Sequence, residues 1–110
     1  MSAHQYVLKS SKIPPLYSQE NAGGGAIAHI KLYEPWGART WYLTEYDAED
    51  RLAFGFVAGT QFPEMGYTSL AEMAELRGPF GLRIERDIHW DPTALRDIPE
   101  YAKHTEAIPA

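Results

Sequence analysis

Apolar and polar residues alternate with a period of two along four stretches of this chain, the pattern of strands with one covered face. Residues 26–33 set Ile30 and Leu32 on one side, with His29 and Lys31 between them. Residues 40–46 place Trp41, Leu43 and Glu45 against Tyr42, Thr44 and Tyr46, and in 52–58 Leu52, Phe54 and Phe56 share a side. In 82–90, Leu82, Ile84, Ile88 and Trp90 share a face with Arg86. The turns Glu34-Pro35-Trp36-Gly37 and Asp47-Ala48-Glu49-Asp50 separate the first three stretches, which predicts an antiparallel meander. Residues 59–67 read as a loop around Phe62-Pro63.

At Ser69 the period lengthens. Ser69-Leu70-Ala71-Glu72 has capping-box spacing, in which Ser69 and Glu72 each satisfy a free N–H at a helix start. The helix should run from 69 to about 76 and break at Arg77-Gly78-Pro79-Phe80-Gly81, where Gly78 and Pro79 force a turn. Asp91-Pro92 reads as a second start, aspartate as cap and proline in the first turn, with a short helix to about residue 98 before Pro99. Gly23-Gly24-Gly25 reads as a flexible joint; no Gly-Lys-Ser/Thr follows it, so it is no phosphate loop. The expected fold is α+β: a four-stranded, mainly antiparallel sheet with one helix packed on a face and a short C-terminal helix. Residues 1–12 form an extension that could hold a short strand over 5–8, residues 13–98 one domain, and residues 99–110 a weakly anchored tail.

Composition narrows the chemistry. The chain has no cysteine, so disulfides, thiolate catalysis and cysteine-bound metal centres are excluded. No apolar run approaches the ~18 residues of a membrane span, and the N-terminus lacks a signal-peptide pattern; a cytoplasmic setting fits. The net charge of −5 is uneven: residues 1–44 carry four bases and two acids, residues 45–110 six bases and thirteen acids. That balance disfavours phosphate-backbone binding and suits docking onto a basic partner surface.

Arg86 is the sharpest candidate for chemistry. A guanidinium on an apolar strand face must be paired, because an uncompensated buried charge costs several kcal/mol. Glu45, on the apolar side of its own strand beside Trp41 and Leu43, is the expected partner. The pair is either structural or, with the hydroxyls of Tyr46 and Tyr67, part of a pocket for an anionic ligand. The acids Glu45, Asp47, Glu49 and Asp50 miss the calcium-loop spacing, and the scattered His4, His29, His89 and His104 predict no metal site. No Gly-x-Ser-x-Gly elbow is present, and no catalytic set or cofactor is expected. Tyr42, Thr44 and Tyr46 on one exposed face would make a base-stacking platform, if Lys9, Lys12, Lys31 and Arg39 gathered on that side.

Four ordered motifs resemble a known family: Ile13-Pro14-Pro15-Leu16-Tyr17, Trp41-Tyr42-Leu43-Thr44-Glu45-Tyr46-Asp47, Glu64-Met65-Gly66-Tyr67-Thr68-Ser69-Leu70 and Gly78-Pro79-Phe80-Gly81-Leu82-Arg83-Ile84-Glu85-Arg86-Asp87. Together they are similar to the bacterial and phage family catalogued as domain of unknown function 2958, from about residue 13 to 95. The resemblance implies a setting on plasmids, phages and other mobile elements, with no catalytic residue to carry over. Three expectations follow: an acidic module that binds an unidentified host or element protein, a small-ligand or nucleotide binder or enzyme around Arg86 and Glu45, or a single-stranded nucleic-acid binder. The first agrees best with charge and composition.

Overall fold

The computed structural model describes Tyr6, Val7 and residues 11–106. Its centre is a five-stranded antiparallel sheet in the order β5-β4-β3-β2-β6, formed by β2 (Ile30–Tyr33), β3 (Thr40–Asp47), β4 (Leu52–Ala58), β5 (Glu64–Ser69) and β6 (Glu85–Arg86). A two-stranded sheet joins β1 (Ile27–Ala28) to β7 (Thr93–Ala94). The helices are α1 (Leu70–Glu75) and α2 (Pro99–Glu106). The α+β class agrees with the sequence pattern, and the strand count rises from four to five.

The extra strand is β5, read above as loop. Its composition is weak for a strand, with Gly66 inside it, but Met65 pairs with Phe56 and Tyr67 with Phe54. Packing on a neighbouring strand overrides propensity here. Conversely, the expected strand over 82–90 shrinks to the two residues of β6. The Asp87 carboxylate accepts the His89 N–H at 2.9 Å and the Asp87 carbonyl that of Trp90 at 3.2 Å, which turns the chain away.

Asp91 starts no helix, because Thr93 and Ala94 pair with Ala28 and Ile27. The helix begins at Pro99, whose missing N–H costs nothing at a first helical position, so the residue read as a stop is a start. Residues 99–106 are therefore an ordered helix, with Tyr101 edge-on to Phe56 at 5.2 Å. Gly23–Gly25 form a 3-10 turn rather than a loose joint, and Gly24 lies against Arg96.

Both faces of the sheet are covered. On the first, Leu70, Met73 and Ala74 of α1 join Tyr6 and Ile84 over Ile30, Leu32, Trp41, Leu43 and Ala53. On the second, Ala26, Ala28, Leu95, Ile98 and Tyr101 lie over Tyr42, Phe56 and Ala58. Tyr6 lies within the expected extension of residues 1–12, yet it is 1% exposed and its hydroxyl donates to the Ile84 carbonyl at 3.0 Å. Burying that ring is worth roughly 2 kcal/mol. The strand considered over 5–8 has its ends outside the described residues, and Tyr6 and Val7 form a bend.

Helix α1 opens with the Ser69 hydroxyl accepting the Glu72 N–H at 3.2 Å. At its other end Arg77 and Arg83 both donate to the Ala74 carbonyl at 2.9 Å, placing cations where the helix dipole favours them. Gly78 then lies flat on Trp36; a Cβ there would stand 2.2 Å from the Trp36 Cδ2. No helix among the described residues is long and apolar enough to cross a membrane.

Candidate functional site

The decisive local feature is a β-bulge in β3. Leu43 pairs with Gly55 and Glu45 with Phe54, so Thr44 is an extra residue and the in–out alternation inverts after it. Trp41 and Leu43 face the first side of the sheet, whereas Glu45 faces the second, beside Phe54. Arg86 pairs with Leu32 and so stands on the first side. The expected Arg86–Glu45 ion pair is therefore corrected: the two groups lie on opposite faces, and a pocket uniting them is not formed.

Each charge has other partners. The Arg86 Nη1 donates to the Tyr6 carbonyl at 2.8 Å and to the Ser11 hydroxyl at 3.1 Å, tying the N-terminal segment to β6. The Glu45 side chain is 3% exposed, and its two oxygens accept the backbone N–H groups of Tyr17 and Gln19, both at 2.8 Å. Gln19 extends the latch: its amide nitrogen donates to Ile27 and Thr44 carbonyls at 3.1 and 2.8 Å, and its oxygen accepts the Ile27 N–H at 2.7 Å. Pro14 accepts the Tyr46 N–H at 2.9 Å, so residues 13–19 wrap from the first face around the bulge to the second. Sequence reasoning missed Tyr17 and Gln19 because their role arises from contacts 26 to 28 residues away.

Tyr46 and Tyr67 also separate. Tyr67 pairs with Phe54 on the second face, rings 4.9 Å apart, and hydrogen-bonds Tyr17. That hydrogen bond, with lesser help from desolvation and from the charges of Tyr17, Glu45 and Glu20, pushes the Tyr67 phenol above its ordinary range. Tyr17 is mostly exposed and adopts φ 72°, a left-handed conformation uncommon outside glycine.

Tyr46 packs on the first face and lines a groove of about 660 Å³. Val7, Ile13 and Leu16 form its apolar wall, while Tyr17, Tyr46 and Asp47 contribute polar atoms. The β3–β4 turn stands at its lip, with Glu49 and Asp50 exposed, and Glu20 is exposed on the adjoining loop. From Asp47 to the end of the turn at Arg51 the chain carries three acids and one base, and on 11–20 Lys12 is the one base. A smaller cleft of about 280 Å³ lies between α1 and β5, where Arg39 stacks on Trp41 at 5.3 Å.

Other candidates resolve differently. Tyr42 and Thr44 are buried, so the expected stacking platform is not presented to solvent. Tyr42 donates to the Glu100 carboxylate, and burial together with that carboxylate raises its phenol far above the ordinary range. Lys31 lies over the Tyr42 and Trp90 rings and pairs with Asp87 at 3.8 Å. Arg39 is taken up by Glu34 through two bonds of 3.0 and 2.5 Å, which lowers the Glu34 pKa. Lys31 and Arg39 therefore make no common basic face; Lys9 and His4 lie outside the described residues. His29 is partly buried, which lowers its pKa, and His104 packs on Phe56. Among the described residues no three histidines or acids are grouped to hold a metal ion.

Comparison with known proteins bears on the family alone. No curated protein matches the chain, and no solved structure does. The family described as Protein of unknown function (DUF2958) matches residues 17–108, nearly the whole of the fold just described, and the chain belongs to that family.

Proposed function

We propose that this protein is a non-catalytic interaction module whose groove beside the β3–β4 turn receives a basic, apolar segment of a partner protein. The groove itself carries the reading: about 660 Å³ walled by Val7, Ile13 and Leu16 and lined by Asp47, with Glu49 and Asp50 exposed on the turn that follows. An apolar trough supplies affinity by burial, and an acidic rim selects cations and accelerates encounter. The Glu45 latch holds one wall in place before any partner arrives, which limits the ordering cost of binding. The mobile-element setting implied by the resemblance makes a host or element protein the natural partner.

The test is peptide selection by display against the purified protein, followed by backbone-amide NMR titration. Selected peptides should combine Lys or Arg with aliphatic or aromatic residues, and shifts should cluster at residues 11–20 and 46–51. The double variant Glu49→Lys/Asp50→Lys should weaken binding by about tenfold, ~1.4 kcal/mol. Selection without charge bias, or shifts centred elsewhere, would sink the reading.

A further inference from the structure

After α1 the chain holds an aromatic ring out into solvent. The Gly81 N–H donates to the Gly78 carbonyl at 3.2 Å, closing a turn with Pro79 and Phe80 at its centre. Phe80 takes φ 59°, ψ 23°, the place in such a turn that ordinarily calls for glycine. Its side chain is wholly exposed, and Leu76 and Leu82 beside it are about two-fifths exposed. This is no loose loop. Gly78 is pressed on Trp36, its N–H donates to the Leu82 carbonyl at 2.7 Å, and Arg77 and Arg83 anchor the flanks to Ala74. A strained backbone and a bare aromatic are both unfavourable; outliers of this kind concentrate at functional positions.

The segment 76–83 has two arginines and no acid around its apolar tip. The groove lip at 47–50 has the inverse charge around an apolar wall. The tip is held against Trp36, and the groove runs from Val7 and Ser11 to Asp47 and Ala48 at the β3–β4 turn. Phe80 is wholly exposed and is not among the residues lining the groove, so the tip does not fill the groove of its own chain. We propose that Phe80, with Leu76 and Leu82, plugs the groove of a second copy, Arg77 and Arg83 meeting Asp47, Glu49 and Asp50. The contact joins unlike surfaces, so repeating it gives head-to-tail oligomers rather than a closed pair. The inference rests on the groove reading above and names an occupant for it.

Sedimentation equilibrium across concentrations up to about 1 mM tests it, since weak contacts of modest area show in that range. The average mass should rise above that of one chain with concentration and fall back with added salt. Phe80→Asn, which suits a left-handed turn, and Glu49→Lys/Asp50→Lys should each remain at monomer mass. Mixed one to one, they should form a complex of twice the monomer mass and no larger, because each keeps the half the other lacks. A wild-type chain that stays monomeric overturns the proposal, as do variants that still oligomerise alone or fail to combine. If the wild type is monomeric while basic, apolar peptides still shift residues 11–20 and 46–51, only the self-association falls and the groove reading stands.

Discussion

Replacing Glu45 with alanine removes the acceptor of two part-buried N–H groups, those of Tyr17 and Gln19, each bonded at 2.8 Å. Leaving a buried donor unsatisfied costs about 1–3 kcal/mol. Two effects reduce the sum: the desolvation cost of the carboxylate disappears, and the loop can lift to reach water. Lifting it breaks the bonds of Gln19 to Ile27 and Thr44, so the escape has its own cost. The net loss should be about 2–3 kcal/mol. In a chain of 110 residues each kcal/mol moves the melting temperature by about 4 °C, so Tm should fall by roughly 8–12 °C. Calorimetry measures that fall. Hydrogen exchange should show the Tyr17 and Gln19 amides losing protection by about 30-fold or more, the factor matching ~2 kcal/mol. Glu45→Gln, which keeps one good acceptor, should fall between. An unchanged Tm with both amides still protected would refute the latch.

Four further outcomes are expected. Gly78→Ala forces a methyl into the Trp36 ring and should cost more than about 2 kcal/mol, read by urea unfolding. Phe80→Gly relieves left-handed strain at an exposed position and should raise Tm by a few degrees, from roughly 0.5–1 kcal/mol; a fall would mean the ring packs internally. Arg86→Met removes the bonds to Tyr6 and Ser11 and should cost about 1–2 kcal/mol, with exchange at Tyr6 and Val7 accelerated. His29 has its pKa lowered from 6.5 by burial, so the unfolded chain binds the proton first. Stability is then full above pH 6.5 and declines as pH falls below it; His29→Asn should flatten that decline down to about pH 5 in urea titrations.

Helix α1 was legible because its start is local: Ser69 and Glu72 lie three residues apart and the cap needs nothing else. The β2–β4 meander was legible from period-two alternation. Glu45 was misplaced because a bulge is a property of two strands, and alternation read along one strand passes over it. A signal did exist in the partner: Gly55 interrupts β4, and a Cβ there would lie 2.0 Å from the Tyr42 carbonyl oxygen. A lone glycine inside one strand, paired two residues before a charged residue in an apolar slot of the other, marks such a register shift. Strand β5 was hidden because its partners, not its own residues, make it a strand. Pro99 reads equally as a stop and as a first helical residue, and the packing of Tyr101 on Phe56 decides between them. The groove was beyond reach of pattern reading, since it exists only once residues 11–17 fold back over Tyr46.

The two covered faces of the sheet have a consequence for how this protein matures. Tyr6, from the beginning of the chain, seals one side, whereas Tyr101, near its end, helps seal the other. A ribosome releases these in order, so the nascent meander must wait with Tyr42 and Phe56 bare until α2 emerges from the exit tunnel. Removing Tyr6 or Tyr101 would uncover a core rather than shorten a tail, and a fragment begun at Tyr17 would lack the Tyr6 plug.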